Sequence, residues 1–154
     1  MLIQAFKMAP LSLISQNMSG GSLYLPHVLG TLKPDVLFMQ ENNLKTEDLQ
    51  MKVNNFGYKC ESNVDVLNPH KPGTAVVWKD SLPPPRVQTI VERRLQAFNL
   101  GSTTWLNIYA PSGSNNKRER DDLFSQEMFQ YLAACGSSSL PWLVGDWNCL
   151  TQPS

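Results

Sequence analysis

An α/β fold (α+β in its detailed arrangement) is the reading this sequence favours, on three observations. Apolar residues recur with period two, or in short unbroken runs, at several places along the chain. Stripes with the helical period stand between those runs, and Gly, Pro and Asn punctuate the joins. At 154 residues the chain has the length of one domain, able to remove roughly 70% of its unfolded surface from water. One domain over residues 1–154 is therefore expected.

The elements follow in order. Leu11-Ser12-Leu13-Ile14-Ser15 alternates apolar and polar, as a strand with one covered face does, and runs into Gln16-Asn17 and then Gly20-Gly21. From Ser22 the period changes: Leu25, Val28, Leu29 and Leu32 form a helical stripe closed by Pro34. Asp35 to Gln40 is a continuous apolar run, the mark of a strand buried on both faces, and it delivers Glu41 to its end. Thr46 reads as the cap of a short helix with Leu49 and Val53 inward, ended by Asn54-Asn55-Phe56-Gly57. A loop rich in Pro, Asn and His leads to Gly73–Lys79, a β-branched strand. Pro83-Pro84-Pro85 forces an extended break before the strand Arg86–Val91. Arg94–Leu100 and Thr103–Tyr109, about Gly101-Ser102, read as a hairpin. An amphipathic helix begins near Ser114, with Phe124, Met128, Tyr131, Leu132 and Cys135 on one face and Gly136 past its end. Leu140–Val144 is a last strand presenting Gly145-Asp146-Trp147-Asn148.

Composition narrows the function classes. Thirteen Lys and Arg balance thirteen Asp and Glu, so no global basic field attracts nucleic acid. Such a partner would be met by a local patch or through a metal. Cys60, Cys135 and Cys149 are odd in number and form no CxxC pair, against a disulfide framework or a zinc site and in favour of an intracellular setting. No apolar run approaches the length of a membrane span. The run KRERDD at 117–122 reads as a solvated helical face, the four Trp as core, and His27 and His70 as without a chemical role.

Asn17, Glu41, Tyr109 and the Asp146/Asn148 pair stand at strand ends, where α/β proteins assemble their sites. Singly, each has a plain structural use: a turn or helix cap for Asn17, a half-buried aromatic for Tyr109, a solvated acid for Glu41, a turn cap for Asp146. Together they imply more. Two carboxylates sharing a cleft repel unless a cation stands between them, and Mg²⁺ (or Mn²⁺) suits a site with oxygen donors and little His. The amides of Asn17 and Asn148 and the Tyr109 hydroxyl can bond phosphoryl oxygens or water. Phosphate-ester chemistry is the implied reaction.

The order of these stretches carries a resemblance. ISQN at 14–17, LFMQEN at 37–42, GTAVVW at 73–78, RLQAF at 94–98, LNIYAPSG at 106–113 and LVGDWN at 143–148 resemble the successive motifs of the endonuclease/exonuclease/phosphatase superfamily. Within it the wording is most similar to the apurinic-endonuclease-like domain of LINE-type retrotransposons. The resemblance implies a four-layer α/β/β/α sandwich and Mg²⁺-dependent nicking of DNA by in-line attack of water. It implies that Glu41 binds the metal with Asn17 beside it, that Asp146 aligns or deprotonates the water, and that Asn148 and Tyr109 contact the scissile phosphate. It also implies a nuclear setting. Asn42 stands where the family often has Thr, and Ser112 where many members have Asn. The family continues past GDWN into strands that carry a further Asp and a Ser-Asp-His stretch. On that comparison the chain is expected to be the N-terminal portion of the domain, motifs spanning about 11 to 148, an incomplete sandwich with weak or no activity alone and an exposed sheet face awaiting the C-terminal portion or a partner. The alternatives are a non-catalytic remnant serving as an interaction or nucleic-acid-binding module, and a phosphatase or sphingomyelinase of the same fold.

Overall fold

The computed structural model describes residues 10–19, 22–68, 70–136 and 139–148. Cys149 lies outside them. Among the described residues eight strands form: β1 (Leu13–Asn17), β2 (Val36–Asn42), β3 (Tyr58–Asn63), β4 (Gly73–Lys79), β5 (Arg86–Val91), β6 (Leu95–Leu100), β7 (Thr103–Tyr109) and β8 (Trp142–Asp146). They make two four-stranded sheets, ordered β1-β2-β4-β3 and β5-β6-β7-β8. Each sheet has one parallel pair, β1/β2 and β7/β8, and antiparallel pairing elsewhere. Each parallel pair is bridged by a helical crossover: α1 at 25–32 in the first sheet, and α3 at 117–135 in the second. The remaining helix, α2 (Thr46–Val53), precedes β3.

Side-chain alternation explains the layering. On β2, Leu37 and Met39 face outward into a cluster with Leu25, Val28 and Leu29 of α1, Leu49 and Val53 of α2, and Tyr58, Cys60, Ala75 and Val77. On the second sheet Leu95, Ala97, Leu106 and Ile108 meet Leu123, Phe124, Met128, Tyr131 and Leu132 of α3. The opposite faces pack on one another through Val36, Phe38, Val76, Phe98, Leu100 and Trp105. Phe38 and Phe98 meet edge to face with ring centroids 5.8 Å apart. Helices therefore cover both outer faces of two stacked sheets.

The inner layer changes character along its length. Val36 and Phe38 on β2 give way to Gln40, and Trp105 on β7 gives way to Asn107 and Tyr109. Gln40 Nε2 donates to Asn107 Oδ1 at 2.7 Å, and Asn107 Nδ2 donates to the carbonyls of Met39 and Ala75. One end of the sandwich is oily and the other is hydrogen-bonded. The polar end lies at the carboxyl ends of β1, β2, β7 and β8.

Four local readings are corrected. The strand β3 forms inside the stretch expected to be loop; its buried Tyr58 and Cys60 alternate with exposed Lys59 and Glu61, too short an apolar pattern to stand out. Leu32 is 56% exposed rather than inward, because α1 ends in a π-helical turn in which Lys33 N–H reaches the Val28 carbonyl, and the wider turn rotates the stripe. Thr46 does not cap α2. Lys45 occupies that position, and the Thr46 hydroxyl accepts from Ser62 N–H at 3.0 Å, fastening β3 instead. Of the four Trp, Trp142 is 68% exposed and is not core.

Candidate phosphate-ester site

The polar residues at the strand ends meet. Asn17 closes β1, where its main chain pairs with Gln40. Glu41 follows on β2 at a register shift between Gln40 and Asn42, with φ of 55°. This left-handed conformation, costly for a residue with a Cβ, is that of a bulge that re-aims one side chain. Asp146 closes β8 opposite Tyr109 of β7. The first two residues belong to one sheet and the last two to the other, so the site straddles the sandwich.

A single amide nitrogen joins the two sheets. Asn17 Nδ2 donates to Glu41 Oε1 at 2.9 Å and to Asp146 Oδ2 at 2.7 Å. The two carboxylates are thus no further apart than these two bonds laid end to end. Asn17 Oδ1 accepts from Ser19 N–H at 2.8 Å, which fixes which way the amide faces. The amide dipole stands, with its positive end, where the two negative charges need one.

Every residue of Gly145-Asp146-Trp147-Asn148 has a task. Gly145 has φ of 132°, and an added Cβ would fall inside the van der Waals envelope of the Ile108 carbonyl on β7. The absent side chain lets β8 approach β7 and brings Asp146 level with Tyr109. Trp147 stacks on Phe124 of α3, ring centroids 5.5 Å apart and nearly parallel. Asn148, at φ 43°, donates its backbone N–H to Asp146 Oδ1 at 3.1 Å and its Nδ2 to the Ala110 carbonyl at 2.7 Å. Its side-chain amide therefore holds the loop after β7 beside the carboxylate pair.

Tyr109 is 7% exposed. Burial raises its phenol above the ordinary value first, the Glu41 charge raises it further, Arg94 opposes, and Asp146 adds to the rise. The phenol is thus a neutral hydroxyl in the field of both carboxylates at ordinary pH. Nothing within RLQAF marks Arg94 as part of the site. The arginine lies between β5 and β6, and only the tertiary fold brings it to Tyr109. Its guanidinium carbon sits 5.0 Å from the centroid of the Tyr109 ring. KRERDD is largely the solvated face expected, with Lys117–Asp121 at 2.8 Å and Arg118–Asp122 at 4.0 Å. Two of its members reach back to neighbouring elements: Arg120 donates to the Pro111 carbonyl and the exposed Glu119 receives Arg94.

Whether the donors fit a divalent ion is decided by their chemistry. Two half-buried carboxylates with amide and phenol oxygens nearby make a hard, all-oxygen set of the kind Mg²⁺ or Mn²⁺ takes together with water and phosphate. Among the described residues no group of three or more His, Cys, Asp or Glu is clustered. Cys60 and Cys135 are free; burial pushes the Cys60 thiol up to about 12, leaving it unreactive.

No family model matches the chain, and no curated protein matches it in sequence. Solved structures do match in shape. An AP endonuclease from Archaeoglobus fulgidus aligns at 18% identity and TM-score 0.71 over 94% of this chain and 60% of that one. The 3′ phosphatase NExo from Neisseria, bound to a product DNA hairpin, aligns at 17% and 0.68 over 90% and 58%. Humanized D. rerio TDP2 aligns at 19% and 0.65 over 92% and 63%. The chain therefore shares the fold of these solved structures. This chain spans less than two thirds of each of those three chains.

Proposed function

We propose that the site is the phosphodiester-cleaving centre of a metal-dependent nuclease acting on DNA, in the manner of the LINE-type endonuclease domains its motifs resemble. The observation that carries this reading is the Asn17 amide bridging Glu41 and Asp146 across the two sheets. Glu41, with Asn17 beside it, would hold Mg²⁺ or Mn²⁺; Asn17 Oδ1 keeps a second lone pair beyond the one Ser19 N–H uses. The ion, when bound, neutralises charge that builds on the phosphoryl oxygens. Asp146, fixed through Oδ1 by the Asn148 N–H, orients or deprotonates the attacking water. The Tyr109 hydroxyl, kept protonated, and the Asn148 amide donate to phosphate oxygens. The shape-matched proteins, an AP endonuclease and a 3′ phosphatase bound to product DNA, favour a nucleic-acid substrate over a lipid or small phosphate.

Those chains are longer than this one, and among the described residues β1 and β8 are edge strands that lie on the same side of the sandwich. Further polypeptide pairing there, from the same protein or a partner, would complete the site, and the chain alone would be weakly active or serve as a binding module. No helix among the described residues is long and apolar enough to cross a membrane, and a nuclear setting accords with DNA as substrate.

Incubating the purified chain with supercoiled plasmid and Mg²⁺ tests the proposal. Nicking that is lost on adding EDTA and falls by about 10²-fold or more in Asp146→Asn and Glu41→Gln is expected. Nicking that survives in both variants refutes these roles. DNA binding without cleavage, indifferent to Glu41→Gln, favours the binding-module alternative.

A further inference from the structure

We propose that Arg94 is a positioning residue whose guanidinium fixes the Tyr109 phenol beside the Glu41–Asp146 pair, and that Glu119 in turn fixes Arg94; this rests on the phosphodiesterase reading of the site. The contacts are specific. Arg94 Nε donates to Glu119 Oε1 at 3.1 Å on the first turns of α3, and Nη1 donates to the Tyr109 carbonyl at 3.4 Å. The Arg94 carbonyl accepts Tyr109 N–H at 2.9 Å. With the guanidinium 5.0 Å from the ring centroid, Tyr109 is gripped by backbone and by ring face through one residue.

The arrangement acts beyond packing. The Arg94 side chain is 12% exposed while that of Glu119 is 53% exposed, so the arginine is inside the structure and its anion reaches in from the helix surface. Arg94 ties together the turn before β6, the end of β7 and the start of α3, three elements that share no local sequence. Planarity matters here: a guanidinium can lie over a ring and donate sideways to a carboxylate and a carbonyl at once, which a lysine ammonium cannot do. The charged groups that influence the phenol are Glu41 from β2, Asp146 from β8 and Arg94 itself. Of these only Arg94 draws the phenol toward ionisation. Its removal leaves the ring free to turn in the field of two carboxylates.

The experiment is a ¹³C-tyrosine NMR titration of the full chain, with the Tyr109 signal assigned by Tyr109→Phe, run beside plasmid nicking with Mg²⁺. In Arg94→Gln the Tyr109 signal shifts at neutral pH and its alkaline midpoint rises above that of the wild type. Arg94→Lys restores the midpoint in part and leaves the signal displaced. Glu119→Ala, a surface change that spares folding, displaces the signal in the same direction by less. In nicking, Arg94→Gln lowers kcat by about tenfold or more with little change in KM, because misplacing a reacting contact by about 1 Å costs up to ~10²-fold. A Tyr109 signal and midpoint unmoved by Arg94→Gln and by Glu119→Ala overturn the inference, whatever the activity. A signal that moves as expected in the variants, while the wild-type chain never nicks, supports the Arg94–Tyr109 coupling and counts against the nuclease reading alone.

Discussion

Asn17 carries the charge balance of the site, and that role can be measured without any substrate. Its amide offers two N–H donors on one nitrogen, and both are spent on carboxylates. Replacing it by Asp keeps the shape and puts a third negative charge where a positive dipole stood. In metal-free buffer Asn17→Asp is expected to lower the melting temperature by several degrees, at about 3 °C per kcal/mol for a chain of this size. Millimolar Mg²⁺ should recover most of that loss, and should stabilise the variant more than the wild type. Thermal melts with and without EDTA decide the point; a variant that melts with the wild type in EDTA shows that Asn17 does not balance Glu41 and Asp146. The residue types and their strand-end positions were readable in the sequence. Their convergence came through the motif resemblance, since nothing local says that Asn17 and Asp146 lie within one hydrogen bond of each other.

The carboxylate at the entry to β2 performs a comparable service for an element. Asp35 accepts Ser12 N–H at 2.8 Å and Ser12 Oγ at 3.1 Å, and receives Lys79 Nζ at 2.9 Å. It thereby binds the chain before β1, the start of β2 and the end of β4 at the oily end of the first sheet. The Ser12 N–H foremost, then the Lys79 ammonium, hold its carboxyl below the ordinary 3.8. A depressed carboxyl contributes stability that is present above its unfolded value and is lost as pH falls through the folded one. Lys79 is raised above 10.5, first by its bond to Asp35, so its share is complete below that pH and fades above the folded value. Asp35→Asn is expected to cost on the order of 1 kcal/mol at neutral pH, discounted for partial solvent exposure, and nothing once the pH has fallen below the folded value. Urea midpoints of wild type and variant should converge on acidification; a gap that stays constant down to pH 2 would show that the ionised carboxylate is not what anchors β1. Elements with long patterns, such as β2, β4 and the β6/β7 hairpin, were legible in the sequence. The strand β3 and the π turns of α1 and α3 were not, because short alternation and helix-end geometry are settled by the neighbours they pack against.

For the whole molecule, the four edges of the two sheets are not alike. The outer strand β3 carries Lys59 and Glu61 and is accompanied by α2, and β5 follows three prolines and begins with Arg86. These are features that discourage pairing with another chain. β1 and β8 are less guarded: LISQN is uncharged, and WLVGD, which follows the single Pro141, is charged only at the Asp146 committed to the site. Between them runs an apolar groove of about 560 Å³ lined by Leu11, Leu13, Trp105, Trp142, Leu143 and Val144. The net charge of zero adds no long-range repulsion between copies. The purified chain is therefore expected to associate as its concentration rises through the micromolar range and to bind a hydrophobic dye at this face. The double variant Trp142→Lys, Leu143→Gln should remain monomeric at concentrations where the wild type does not, because a charge on the edge opposes strand addition and the groove loses two of its walls. Light scattering behind a sizing column reads the outcome directly. A wild-type chain that stays monomeric, with no more dye bound than the variant, would mean that the β1/β8 edges are satisfied within the molecule and need no further polypeptide.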